Sequence, residues 1–360
     1  MEFKKIMGFA AMAALTIGAA SCSNDDEMSN AMAGSEQELQ IKVGINQTAN
    51  TRAGITAADF VDDSAIGLYI YKGTDFSTTY PTIKPHKTKN AHYKKVGGHW
   101  TVGTEKQGIV LSDEVGTVYA YYPYAEGNDS IEAGVIPVQV NATQGTGLSD
   151  GSKDVKEQAD YMYATKVPSV SNATKQINLA MNHALTMLSF KFFKGDYPGA
   201  GLVSSIKVMN KAGEKFKTGA ATMDLKDGTL AVTGAKGDVT LKPNEVLAVE
   251  KGTQPEANKV ARMLVYPIET LAQGDLQVQI VLDGKTYTLE LPAKTPDSQK
   301  YLAGKNYTYS FNLAGKEFGG GNGGDGDNDG QDDITVSVTP WADVDGGSGD
   351  LVAPDEQPLP

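Results

Sequence analysis

The residues able to do chemistry are few, and most sit in polar, turn-rich runs. Asp325, Asp327 and Asp329 alternate, Gly330 follows, and Asp333 comes three residues later. That is the oxygen spacing of a twelve-residue calcium loop, whose sharp turn needs glycine at the sixth place. The last place, which a bidentate Glu would fill, holds Val336. The run is a weak calcium candidate and otherwise a charged, solvated tether; no cofactor is expected elsewhere. Gly147-Leu148-Ser149-Asp150-Gly151 matches the G-x-S-x-G pattern. A nucleophile of that type needs a strand delivering the Ser and a helix leaving it. Here polar residues Asn141 to Thr146 precede it, so no catalytic residue is assigned and no enzyme is expected. The four His are scattered, with no H-x3-H pair and none beside a cysteine, so a zinc site has no support. His183 lies in an apolar run and reads as a core histidine. Lys84, Lys87, Lys89, Lys94 and Lys95 form the one basic patch. It reads first as a solvated loop, and second as a contact for an acidic glycan or a neighbouring subunit.

Two further residues invite processing. Cys22 is the only cysteine and follows Ala19-Ala20-Ser21. Lys4 and Lys5 precede an apolar run, Ile6 to Ala20, that is too short to span a bilayer, so residues 1–21 read as a signal peptide. Small residues immediately before a lone cysteine resemble a bacterial lipobox, in which the thiol is diacylated and becomes the first residue. Two acyl chains give stable attachment, so the precursor is expected at the outer membrane. Ser23-Asn24-Asp25-Asp26-Glu27 opens an acidic linker, 22–35, similar to the surface-export signal of Bacteroidetes lipoproteins. With no second cysteine, stability must come from packed cores alone. Arg52 sits among small residues in an exposed loop, 47–54. It is an ordinary surface arginine, or the site at which an Arg-specific, trypsin-like protease cuts before Ala53.

These positions are ordered by the strands around them. Leu39, Ile41, Val43 and Ile45 alternate with Gln40, Lys42, Gly44 and Asn46, as in a half-buried strand. Near the other end Ile334, Val336 and Val338 alternate with Thr335 and Ser337, followed by Pro340-Trp341. Before that second strand, 319–333 is Gly, Asn, Asp and Gln, with a random-coil reach of about 20 Å. A tethered apolar strand either folds back as the last strand of its own domain or completes the sheet of another chain. If a cut after Arg52 removes the first strand, it leaves an apolar groove, and the last strand of a neighbour has the period to fill it.

Between these ends, short strands follow one another. Ile66 to Tyr71, Val118 to Tyr124, Val135 to Val140, Leu276 to Leu282 and Lys285 to Leu291 are examples, with Asp283-Gly284 as a type I′ hairpin signal. Met181 to Phe192 reads as one long strand opening a second domain. Almost no segment keeps a 3.6-residue period, so the fold class is all-β. At 40% hydrophobic and 21% charged, the 360 residues have ample material for a core. The net charge of −12 argues against nucleic acid.

Several motifs taken in order resemble the Bacteroidales fimbrillin family of type V pilus subunits. They are the lipobox at Cys22, the Arg52 loop, Trp100 before Ile109-Val110-Leu111, Val118 to Tyr124, and Asp160-Tyr161-Met162-Tyr163-Ala164. His183-Ala184-Leu185, Ala303-Gly304-Lys305-Asn306-Tyr307 and Val338-Thr339-Pro340-Trp341 continue the series. The resemblance implies two transthyretin-like Greek-key β-sandwich domains in tandem, at 36–180 and 181–318, then the tether 319–333 and a donor strand with its tail, 334–360. It also implies lipoprotein export, removal of the first strand by cleavage after Arg52, and strand exchange with other fimbrial subunits. The Gly/Asp tether and the nineteen residues after Trp341 depart from the family pattern. The competing expectation is a monomeric surface lipoprotein that captures glycans or host ligands, with the last strand folded back. Two Trp in the whole chain give little platform for sugar stacking.

Overall fold

Alternating strands separated by turn residues leave this chain one way to bury apolar surface, in stacked sheets. The computed structural model describes residues 37–46, 60–74, 76–82, 84–131, 134–145, 158–293, 298–314, 318 and 334–340. All of them belong to one compact unit beginning at Gln37. Among the described residues there are strands and two short 3-10 turns but no α-helix, so the protein is all-β as expected.

A nine-stranded sheet dominates the amino-terminal half. Across it run Gln40–Ile45, Gln176–His183, Met162–Ala164, Gly116–Tyr122, Ala65–Lys72, Ala91–Val96 and His99–Val102. Val167–Val170 also pairs with Gly116–Tyr122, and Thr78–Thr79 with Ala65–Lys72. The central strands are buried on both faces. Ile66, Leu68, Ile70, Val118 and Ala120 meet one core, while Tyr69, Tyr71, Tyr119 and Tyr121 meet a second. That double burial is why 65–72 reads as an almost continuous apolar run.

The second core belongs mainly to the carboxy-terminal half. Leu202–Asn210 and Leu276–Leu282 lead a six-stranded sheet, and Thr186–Phe193 and Lys305–Asn312 a five-stranded one. Their inward residues, among them Phe190, Phe192, Ile206, Val208, Ile280 and Phe311, form one apolar cluster. Val135–Val140, although early in the chain, pairs with Gly219–Asp224 and so packs on this second core.

Two local expectations need correction or extension. Met181 to Phe192 is two strands, Gln176–His183 in the first sheet and Thr186–Phe193 in the second, joined through Ala184 and Leu185. An apolar run buried throughout carries no period to mark that change of sheet. The Asp283-Gly284 turn has φ of 47° and 77°, the two positive angles a type I′ turn requires. The Asp283 carboxylate also accepts hydrogen bonds from the backbone N–H groups of Gly201 and Leu202 and from the Tyr197 hydroxyl, each at 2.9 Å.

Candidate functional site

The first strand lies at an edge. Gln40–Ile45 runs parallel to Gln176–His183, with Gln40 opposite Gln176 and Ile45 opposite Met181. Its alternation buries Leu39, Ile41 and Ile45 to 1%, 6% and 6% exposure, half-buries Val43, and leaves Gln40 and Lys42 in solvent. Just before it, Gln37–Glu38 pairs antiparallel with Val110–Leu111. Leu39 is therefore the residue at which the segment passes from one partner to the other.

A closed set of hydrogen bonds holds that crossing. Leu39 N–H donates to Ile109 O at 2.8 Å, and Ile109 N–H donates to the Tyr93 hydroxyl at 3.2 Å. The Tyr93 hydroxyl donates to Leu39 O at 3.1 Å. Burial pushes the Tyr93 hydroxyl well above the ordinary tyrosine range, opposed by the Ile109 N–H and aided by Glu38, so it stays a donor. At the far end, Asn46 N–H donates to Met181 O at 2.6 Å, and the Asn46 side-chain amide to Asn182 Oδ1 at 3.0 Å.

The opposite wall is the other free edge of the same sheet. His99–Val102 comes close to Gln40–Ile45, and Trp100 and Val102 pack on the same core as Val43. Phe60 packs edge-on to Trp100 at 5.4 Å and to Tyr122 at 5.2 Å. The Phe60 carbonyl accepts from Lys95 Nζ at 2.5 Å, and the Asp62 carboxylate from the N–H groups of Gly97 and Gly98. Downstream of Arg52, Phe60 and Asp62 thus tie the chain to this sheet. Loss of 37–46 would open a groove floored by the first core.

The last strand is also an edge, in the other half. Ile334–Pro340 runs antiparallel to Lys305–Asn312, with Ile334 opposite Phe311 and Pro340 opposite Lys305. It folds back on its own chain. Ile334 is buried at 6%, Val336 and Val338 are half-buried, and Thr335, Ser337 and Thr339 are exposed. Phe318, where the tether begins, packs on Tyr287 and on Phe311. Both ends of 319–333 therefore meet near Phe311.

Cys22, Arg52, Ala53, Ser149, Asp325, Asp327, Asp329, Asp333 and Trp341 lie outside the described residues. Among the described ones, no group of three His, Cys, Asp or Glu residues is placed to hold a metal ion. No helix there is long and apolar enough to cross a membrane. His183 is buried, with Nδ1 in hydrogen-bond contact with Asp160 Oδ2 at 2.9 Å, a core histidine as its setting suggested. The basic patch is not the solvated loop expected: Lys94 and Lys95 lie on the strand Ala91–Val96, Lys95 is buried, and most of the patch is consumed within the fold. Lys87 pairs with Asp129 and Lys94 with Asp63, Lys95 binds the Phe60 carbonyl, and Lys89 lies 6.0 Å over the Tyr71 ring. The joint role of Tyr93 and Ile109 had no signal in the sequence, where Tyr93 fell in a run read as a loop, because it is set by a crossing that local pattern does not show.

A family model described as fimbrillin-like matches residues 51–341. No curated protein matches the chain. Among solved structures, a protein from Bacteroides ovatus assigned to cell adhesion aligns with a TM-score of 0.57 and 17% identity over 85% of this chain and 98% of its own. One from Bacteroides uniformis, likewise assigned to cell adhesion, aligns at 0.55 and 17% over 86% and 100%. A fimbrial protein from Bacteroides vulgatus aligns at 0.52 and 14% over 85% and 99%. At these identities the likeness is one of fold.

Proposed function

The chain belongs to the fimbrillin-like family, and we propose that it is a structural subunit of a cell-surface fimbria, a type V pilus, that polymerises by donor-strand exchange. On this reading the precursor is exported as a lipoprotein on Cys22 and held at the outer membrane by its acyl chains. An Arg-specific protease cuts between Arg52 and Ala53, which frees the first strand and releases the chain from its lipid. The last strand of another fimbrial subunit then fills the groove. Assignment of similar folds to fimbriae and cell adhesion supports the same role, with a host or bacterial surface ligand as the adhesive target. The two cores support two sandwiches in tandem, the first half lending Val135–Val140 to the second.

The observation that carries the reading is the pair of edge strands. The one before Arg52 fills an apolar groove, held by a six-residue ladder to Gln176–His183 and a two-residue one to Val110–Leu111, and the one after the tether has the same period. A segment at a sheet edge can leave without breaking the pairing among the remaining strands. The return of the last strand to its own sheet favours a second reading, a monomeric surface lipoprotein that binds glycans or host ligands.

One experiment separates them. Residues 23–360 are purified as a monomer, treated briefly with trypsin, sequenced at the new amino terminus and run unheated on a denaturing gel. A terminus at Ala53 with a ladder of resistant multimers is the expected result. A terminus at Ala53 with monomer alone would overturn polymerisation and favour the second reading.

A further inference from the structure

A strand of period two can enter a groove in several registers and in either direction. A one-residue slip turns its apolar face outward, but two-residue shifts and reversal do not. The backbone of the groove distinguishes these. At the seat of Leu39, an occupant must offer an N–H to Ile109 O and a carbonyl to the Tyr93 hydroxyl, as Leu39 does. Proline has no N–H, so it is excluded there. Further along, Gln40 N–H donates to Lys175 O and Asn46 N–H to Met181 O. In a parallel ladder the bonded residues alternate, so the even-numbered seats face Gln176–His183. The N–H groups at the seats of Ile41, Val43 and Ile45 point the other way, and proline there removes no ladder bond.

The last strand carries Ile334, Val336, Val338 and Pro340 at alternate positions, against the four apolar seats of the first strand. Placed parallel with Ile334 at the seat of Leu39, it brings Pro340 to the seat of Ile45, where no N–H is needed. Reversal turns the N–H groups of the inward residues toward Gln176–His183, so Pro340 at the Leu39 seat lacks a donor where the ladder needs one. A shift of two residues in one direction puts the Asp332 carboxylate into that buried seat, at a high desolvation cost. The opposite shift puts Ala342 in place of Ile45 and moves Ile334 out of the core.

Resting on the strand-exchange reading, we infer that the groove seats Ile334 of a second copy at the place of Leu39, parallel to Gln176–His183, with the apolar pattern and Pro340 setting the register and the Ile109 carbonyl and Tyr93 hydroxyl holding the backbone there as they hold that of Leu39. The side chain of Tyr93 reads backbone rather than sequence. One groove can therefore accept first the chain's own strand and later a different one.

Cysteine trapping tests the register, because Gln176 lies opposite the seat of Gln40. Full-length chain carrying Cys22→Ser and Gln176→Cys is mixed with chain carrying Cys22→Ser and one of Thr335→Cys, Ser337→Cys or Thr339→Cys. The mixture is cut with trypsin and oxidised. The inferred register predicts disulfide-linked multimers with Thr335→Cys at least tenfold in excess of the other two. Preference for Ser337→Cys, a two-residue shift, or for Thr339→Cys, a reversal, would overturn the register and leave strand exchange standing. Multimers in none of the mixtures, before or after oxidation, would overturn exchange itself. Adding Tyr93→Phe to the Gln176→Cys chain should lower the yield of disulfide-linked multimers about fivefold, the worth of one ordinary hydrogen bond, and leave Thr335→Cys the preferred partner. An unchanged yield with Tyr93→Phe would remove from Tyr93 the role of holding the incoming strand.

Discussion

The two end strands share a period, a composition and an edge position, yet they are held differently. The first buries Leu39, Ile41 and Ile45 in a core, worth about 5–9 kcal/mol of apolar burial at about 1.5–3 kcal/mol each. Among the described side chains the last fully buries Ile334, about 1.5–3 kcal/mol, half-buries Val336 and Val338 against the second core, and pairs through a seven-residue antiparallel ladder. Removing the first strand uncovers a core; removing the last uncovers chiefly a sheet edge. The comparison gives exchange a direction. A strand that leaves the shallow seat and enters the vacated deep one gains burial, and the ladder bonds it gives up are replaced by others.

The largest test of that contrast concerns access to the deep seat. Arg52→Ala should leave the precursor folded and abolish polymerisation after trypsin, because the first strand then stays in place. Unheated gels and circular dichroism together check this. Fibres formed as usual by that variant would sink the cleavage step.

Next in size is the contrast in burial itself. Leu39→Ala should cost the precursor about 2–5 kcal/mol in urea unfolding, as core leucines do. Val338→Ala, half-buried at the other edge, should cost under about 1.5 kcal/mol. Equal losses would mean that the two seats are equally deep and that exchange gains nothing from burial.

The inward residues of both end strands were legible in the sequence, because both alternate strictly and alternation fixes which side chains face inward, but the difference in their depth was not. The Asp283-Gly284 hairpin was legible for a similar reason, since its turn type needs two residues that tolerate positive φ. What stayed hidden was long-range or unpatterned. Thr186–Phe193 merges with the strand before it because both are apolar where they meet. Gly219–Asp224 and Leu230–Val232 escape notice because Gly, Ala and Thr give little contrast. The Leu39–Ile109–Tyr93 crossing joins residues that no local period connects.

Acid should weaken the half that holds the last strand through Asp283. Burial alone would raise its carboxyl. The N–H groups of Gly201 and Leu202 and the Tyr197 hydroxyl outweigh that and hold it below the usual carboxylate range. A depressed carboxylate stabilises the fold above its unfolded pKa, and that contribution is lost as pH falls through the folded value. Asp283→Ala should therefore cost about 1.5–3 kcal/mol at neutral pH and progressively less below the ordinary carboxylate range, measured by urea midpoints across pH. A pH-independent loss would assign the effect to the turn rather than to the charge.

The smallest expected effect probes how much freedom the first strand keeps. A Cβ placed on Gly44 meets nothing within 4 Å, and a concavity of about 340 Å³ runs along this stretch. Gly44→Ala should therefore leave stability unchanged or raise it by about 0.5–1 kcal/mol, since alanine loses less chain entropy on folding. Gly67, on a central strand of the same sheet, is the control: a Cβ there would lie 2.2 Å from the Tyr121 ring. Gly67→Ala should be strongly destabilising, by about 1–3 kcal/mol or more, as overpacking is. The two glycines differ because one strand is enclosed on both faces while the other has space beside it. An edge with room at its backbone tolerates a change of occupant, as a replaceable strand requires. A large loss from Gly44→Ala would mean that the seat fits one sequence closely, and a second strand could not take it on equal terms.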